Sequence, residues 1–182
     1  GYEVRMTPLQ ILTLYNAVAN DGVMVKPRFI DEIRHHGKLI RSTETTVLNH
    51  RICSRETLGK IRSMLEGAVE KGTAKNLRNT YYPIAGKTGT AQIADEKHGY
   101  KLGSYQASFA GYFPSDDPEY SCIVVVNSPS KSVYYGNLVA GPIFRAITDR
   151  IYVREFEMHD SRERLATGQD VQAPYSKSGS GE

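Results

Sequence analysis

The sequence predicts an α/β fold in which part of a central antiparallel sheet is flanked by helices. Helical periodicity with end signals occurs near residues 7–22 and 54–72. Three strand-like runs follow, at residues 84–93, 105–113 and 120–127. The last two runs are separated only by a proline-bounded turn, so we expect them to pair antiparallel. Another helical stretch then closes the pattern.

Both helices of the first half carry start and stop signals. Thr7 offers a capping hydroxyl, and Pro8 occupies the favoured first helical position. The second helix begins at Ser54 and ends at Gly72. Each helix has one apolar stripe at helical spacing: Ile11, Leu14, Tyr15 and Val18 in the first, and Leu58, Ile61, Leu65 and Ala68 in the second.

The remaining segments complete the expected organisation. Residues 28–34 and 39–41 suggest two strands around a turn. The closing helix is predicted at 138–153, with a mixed stripe of Val139, Ile143, Ala146, Ile147, Arg150 and Ile151. From about residue 156 the sequence becomes polar, so we expect a domain portion at 1–155 and a linker or disordered tail at 156–182.

Composition and charge exclude several classes of function. The net charge is +3, and no block of like charge is present, so nothing indicates a nucleic-acid partner. The longest apolar run, residues 122–126, is too short to cross a bilayer. The chain starts at Gly1 without methionine and ends in a linker-like stretch, so we expect it to be a piece of a longer protein.

The segment from Ala85 to Gln92 is unusual for a strand, because it is built from small residues, one lysine and two threonines. Small residues in a strand mark a place where another group approaches the backbone closely. A ligand lying along such a strand can add to it through main-chain hydrogen bonds. Lys87 adds positive charge, and the Thr88 and Thr90 hydroxyls are donors suited to a carboxylate. The segment therefore predicts a site for an extended, anionic, peptide-like ligand.

Two other interpretations of this segment compete with a ligand site. A bare Lys-Thr-Gly is common and often marks only a turn or the end of a surface strand. A phosphate-binding loop would need another glycine five positions before Gly86, where Tyr81 stands. The phosphate-loop interpretation is therefore rejected.

Lys87-Thr88-Gly89 matches the third signature of penicillin-recognising serine enzymes. The longer string 85–92 resembles that of class B penicillin-binding proteins. The resemblance extends over residues 1–153, and Tyr134-Tyr135-Gly136 resembles the septal, division-type members. The other segments that resemble the family, in the family's order, are Met6–Gln10, Ala19–Val23, Gly72–Ala74 and Ala107–Pro114.

The resemblance implies a peptidoglycan D,D-transpeptidase, which cross-links stem peptides through an acyl-serine intermediate, binds β-lactams and uses no cofactor. Within this fold, called penicillin-binding-protein or serine β-lactamase-like, the chain would supply an incomplete sheet. Lys87 would supply positive charge and contact the second motif. Thr88 and Thr90 would hold the terminal carboxylate of the donor peptide, and the Thr90 N–H would be one oxyanion donor. Gly89 would keep the strand thin enough for the acyl group to approach.

The family's first two motifs are absent. No Ser-x-Asn occurs, and one Ser-x-x-Lys, at Ser128 and Lys131, follows the third motif instead of preceding it. Tyr135-Gly136-Asn137 imitates a β-lactamase motif, also on the wrong side of Lys87. We therefore expect the nucleophile to lie outside this chain, and the chain alone to be inactive.

No metal site is predicted, since His35, His36 and His50 lack cysteine or carboxylate at ligand spacing.

The resemblance also implies a location and partners. The complete protein would act on the outer side of the cytoplasmic membrane from an N-terminal anchor, with a membrane glycosyltransferase and division proteins. Two rival functions stay open from the sequence: a β-lactam sensor domain and a non-catalytic interaction module. Because a partial sheet leaves an unpaired edge and an exposed apolar face, we expect the isolated chain to self-associate.

Overall fold

The structure, a computed structural model, describes residues 4, 6–93, 104–129 and 133–167, with side chains to residue 155. The helices are α1 (Pro8–Ala19), α2 (Arg55–Glu70) and α3 (Gly136–Thr167), with a 3-10 turn at Lys75–Leu77. The strands are β1 (Met24–Val25), β2 (Glu32–His35), β3 (Lys38–Ser42), β4 (Val47–Asn49), β5 (Ala85–Gln92), β6 (Tyr105–Phe113) and β7 (Tyr120–Asn127). The chain forms two compact units, Gly1–Ala146 and Ile147–Glu182.

The start signals of the first two helices act as the sequence predicts. The Thr7 hydroxyl accepts from the Gln10 amide, and the Gln10 side chain accepts from the Thr7 amide, which completes a capping box. The Ser54 hydroxyl accepts from the Thr57 amide at the start of α2. These caps satisfy backbone donors that have no partner within a helix.

The three predicted strands form one antiparallel sheet in the order β5-β6-β7, so the predicted fold class is confirmed. The predicted two-strand excursion is the hairpin β2–β3, although β2 begins only at Glu32. The short pair β1–β4 was not predicted, because two or three residues show no periodicity.

Helices cover both faces of this sheet within the first unit. On one face, Val18 of α1 and Leu58 of α2 pack against Ala85 and Tyr112. On the other face, the Phe144 ring of α3 lies edge-on to Phe109, with ring centroids 4.7 Å apart. Cys53 and Cys122 are free thiols. Burial raises the pKa of the Cys122 thiol.

The closing helix differs from its prediction in length and in its buried face. It continues to Thr167, beyond the expected end near residue 153, so residues 156–167 are helical. Its buried side chains include Ala140 and Phe144, whereas Ile143 and Ile147 are 46% and 38% exposed. The predicted stripe was wrong because it counted large aliphatic residues, while the buried face of this helix combines one aromatic ring, Phe144, with small residues such as Ala140 and Gly141. The tail prediction beyond Thr167 lies outside the described residues.

Tyr112 lies in the sheet core and is fully buried, yet its hydroxyl has no hydrogen-bond partner among the described residues. Burial raises the pKa of Tyr112 to about 12, with the Glu66 carboxylate adding to the rise and the Arg62 guanidinium opposing it. A buried hydroxyl without a partner costs free energy and contributes nothing in return.

We therefore expect Tyr112→Phe to be neutral or to raise the free energy of unfolding by up to about 1 kcal/mol at pH 7. Above pH 10 the unfolded tyrosine ionises while the folded one does not. Relative to the variant, the free energy of unfolding of the wild type should then fall by up to about 1.4 kcal/mol per pH unit, until the pH reaches about 12. Denaturant unfolding of both proteins at pH 7, 9 and 11 measures this difference. A large loss at pH 7 would show that the hydroxyl is satisfied after all.

Candidate active site edge

The segment singled out in the sequence forms β5, an outer strand of the three-stranded sheet. Its inner edge pairs with β6 in unbroken register from Ala85↔Tyr112 to Gln92↔Tyr105. No strand within the described ranges pairs with its outer edge. The backbone groups along that outer edge can therefore accept an added strand.

Lys87 lies on this outer edge, and its side chain is exposed. Its ammonium donates to the Thr88 carbonyl and to the Thr88 hydroxyl, both at 3.1 Å. A carbonyl reached in this way points away from β6. Since backbone groups two residues apart in a strand point to the same edge, the Thr90 amide and carbonyl also face outward.

Two other elements contact the threonines of β5. The hydroxyl of Thr73, which follows the end of α2, lies 3.3 Å from the Thr88 hydroxyl. The backbone amide of Gly136, at the start of α3, donates to the Thr90 hydroxyl over 3.3 Å. The site is therefore framed by the end of one helix and the start of another. Sequence reasoning missed both contacts, because they join segments 15 and 46 positions apart.

Aromatic side chains lie near the Gly136 end of this edge. Tyr134 stacks on Tyr105, with ring centroids 3.9 Å apart, and Tyr135 lies 4.8 Å from Tyr134. Tyr135 is 55% exposed. The pKa of Tyr134 is raised, first of all by its side-chain hydrogen bond with Tyr135. This group holds the segment that leads into Gly136, and so helps to fix the position of the Gly136 amide.

Of the two coincidental motifs, Tyr135-Gly136-Asn137 borders the site, because the Gly136 amide donates to the Thr90 hydroxyl. Ser128 is in the bend after β7, with a positive φ of 49°, and its hydroxyl lies 2.7 Å from that of Ser104. Lys131 lies outside the described residues. Gly136 and Asn137 are the first residues of α3.

The described part of the chain contains no cluster of three or more metal-ligating side chains. His35 ends β2, and His36 follows in the hairpin turn. Within the same described part, no helix has the length and hydrophobicity needed to cross a membrane. What the geometry does assemble is one ammonium group, two hydroxyls and an open backbone edge, a set suited to an extended ligand with a carboxylate.

A family model described as the penicillin binding protein transpeptidase domain matches residues 1–149. The chain belongs to this family, which confirms the resemblance seen in the sequence.

Named relatives agree with this assignment. The chain is 34% identical over 145 residues to stage V sporulation protein D of Bacillus subtilis, a match that covers 79% of the chain and 22% of the relative. It is 34% identical over 164 residues to penicillin-binding protein PbpB of Mycolicibacterium smegmatis, covering 85% and 25%. A peptidoglycan D,D-transpeptidase FtsI homolog of Mesostigma viride is 29% identical over 163 residues, a match that covers 83% of this chain and 27% of the relative. The chain thus spans about a quarter of the length of these relatives.

Solved structures give the same result for the fold. Penicillin-binding protein 3 from Mycobacterium tuberculosis aligns with a TM-score of 0.73 and 30% identity, over 85% of this chain and 36% of that one. Penicillin-binding protein A from the same organism, in its imipenem acyl-enzyme complex, aligns with a TM-score of 0.67 and 24% identity, over 82% and 32%. At that identity the second match supports the fold alone.

Proposed function

We propose that this chain supplies the substrate-binding edge of a peptidoglycan D,D-transpeptidase, and that the serine nucleophile and the Ser-x-Asn motif belong to sequence outside it. The observation that carries the proposal is the open outer edge of β5, where Lys87, Thr88 and Thr90 lie in a chain of the transpeptidase family.

The donor stem peptide would lie extended along the outer edge of β5. Its terminal carboxylate would accept hydrogen bonds from the Thr88 and Thr90 hydroxyls, and the Lys87 ammonium would add positive charge beside them. The outward Thr90 amide would donate to the oxygen of the attacked carbonyl as negative charge develops there. One such donor contributes about 3 kcal/mol to lowering the barrier.

A β-lactam would occupy the same edge, because it also presents a carboxylate beside a reactive carbonyl.

The relatives named as FtsI homologs favour a role in cell division. We place the complete protein at the cytoplasmic membrane with this domain on the outer side. A membrane glycosyltransferase and other division proteins are its proposed partners.

The test compares the chain alone with the complete protein. The isolated chain should form no stoichiometric adduct with benzylpenicillin, since no serine in its described part is activated as the reaction needs. The complete protein should be labelled by a fluorescent penicillin, and unlabelled benzylpenicillin should compete. Intact mass spectrometry and gel fluorescence give the two readouts. A stoichiometric adduct on Ser128, or on another serine of the isolated chain, would refute the proposed division of the site.

A further inference from the structure

The Thr88 hydroxyl has more hydrogen-bond neighbours than its proposed role alone requires. A hydroxyl has one proton to donate and two lone pairs that can accept. The Lys87 ammonium already donates to the Thr88 oxygen at 3.1 Å. The Thr73 hydroxyl, 3.3 Å away on the other side, can either donate to that oxygen or accept its proton. If Thr73 donates, the Thr88 hydroxyl keeps its own proton for a ligand. If Thr73 accepts, that proton is already used.

We infer that Thr73 is a positioning residue, which turns the Thr88 hydroxyl into a donor to the substrate carboxylate; this rests on the function proposed above. When Thr73 and Lys87 both donate, the two lone pairs of the Thr88 oxygen are filled. Its proton must then point to the remaining direction, the open edge of β5. A carboxylate accepts a proton there and cannot supply one. Thr73 acts through Thr88 and does not touch the substrate.

The backbone around Thr73 holds its hydroxyl in place. The next residue, Ala74, is fully buried, and its amide donates to the Ala68 carbonyl of α2 over 3.0 Å. The α2 helix itself is fixed to the sheet through Leu58. Thr73 is exposed, so replacing its side chain should cost little folding free energy. An effect of such a replacement on the reaction can therefore be separated from an effect on folding.

The same arrangement occurs at the second threonine of the edge. The Gly136 amide can only donate, so it fills one lone pair of the Thr90 hydroxyl. The proton of Thr90 is thereby turned away from α3. In this arrangement each threonine of β5 accepts from a neighbouring element: Thr88 from the Thr73 hydroxyl and Thr90 from the Gly136 backbone amide. Only the Thr73 hydroxyl can be removed by substitution without altering the backbone.

The test is a double-mutant cycle in the complete transpeptidase, with Thr73→Val, Thr88→Val and the combined variant. Valine keeps the shape of threonine and removes the hydroxyl. We expect Thr73→Val to slow acylation by benzylpenicillin about tenfold, the scale of one hydrogen bond to a charged group. The methyl ester of benzylpenicillin, which has no carboxylate, should react with this variant as it does with the wild type. Thr73→Ser, which keeps the hydroxyl, should restore the rate.

The cycle separates this inference from the proposed function. If Thr73 acts through Thr88, the double variant should be no slower than Thr88→Val alone. Fully additive effects, or equal slowing of acid and ester, would overturn the inference while leaving the site intact. So would a wild-type rate for Thr73→Val when Thr88→Val is slow. A Thr88→Val variant that reacts normally with the acid would instead refute the carboxylate role of β5. Thermal unfolding of every variant checks that folding is unchanged.

Discussion

Replacing Lys87 by alanine in the complete transpeptidase should lower the second-order rate of acylation by β-lactams by about two to three orders of magnitude. The Lys87 ammonium lies at the open edge of β5 and donates to both oxygens of Thr88. Its loss would remove the positive charge beside the proposed carboxylate and the ammonium donor to the Thr88 hydroxyl. Because the side chain is exposed, folding should be unaffected.

Lys60→Ala is the matched control for this change. Lys60 is also exposed, and its ammonium pairs with Glu56 on the surface of α2 at 2.6 Å. The Lys60→Ala substitution also removes one positive charge from the protein, but from a position outside β5. Acylation should therefore keep its wild-type rate. Stopped-flow measurement with a chromogenic β-lactam gives both rates. Equal rates for the wild type and Lys87→Ala would show that the Lys-Thr-Gly segment is an ordinary surface strand.

Local signals in the sequence were sufficient for most elements of the fold. The caps at Thr7 and Ser54 and the three sheet strands lie where the pattern predicts them, because capping and alternation are set by neighbouring residues. The buried face of α3 was not predictable in this way. Gly141 packs against Leu77, where an added Cβ would lie 3.1 Å from a methyl carbon. A buried face made of Phe144 and small residues such as Ala140 and Gly141 gives only a weak hydrophobic stripe in the sequence.

The candidate site was predicted as a strand but not as a set of contacts. Composition indicated that something approaches β5 closely, and the structure shows that its outer edge is open in the described part of the chain. The two groups that contact these threonines, the Thr73 hydroxyl and the Gly136 amide, come from distant segments. No spacing rule brings such segments together, because their distance depends on how α2 and α3 pack on the sheet.

Two glycines of β5 should respond in opposite ways to the same substitution. A Cβ added at Gly86 would lie 2.6 Å from the Ala110 carbonyl oxygen and 2.7 Å from the Phe109 ring, neither of which can move freely. A Cβ at Gly89 would meet the Ser108 hydroxyl at 2.5 Å, and a serine side chain can rotate away. We therefore expect Gly86→Ala to destabilise the protein by about 1–3 kcal/mol, and Gly89→Ala to leave its stability nearly unchanged.

The effect on the reaction should be reversed. Gly89 lies between Thr88 and Thr90, on the stretch of β5 along which the acyl group approaches in the proposed function. A methyl group there should displace that group and slow acylation of the complete transpeptidase by about a hundredfold. Molecules of Gly86→Ala that remain folded should keep most of their activity. Thermal unfolding and acylation rates, measured on both variants below their melting temperatures, decide the matter. Early melting of Gly89→Ala would show that the glycine is needed for packing. A wild-type rate of acylation would show that no ligand approaches Gly89 closely.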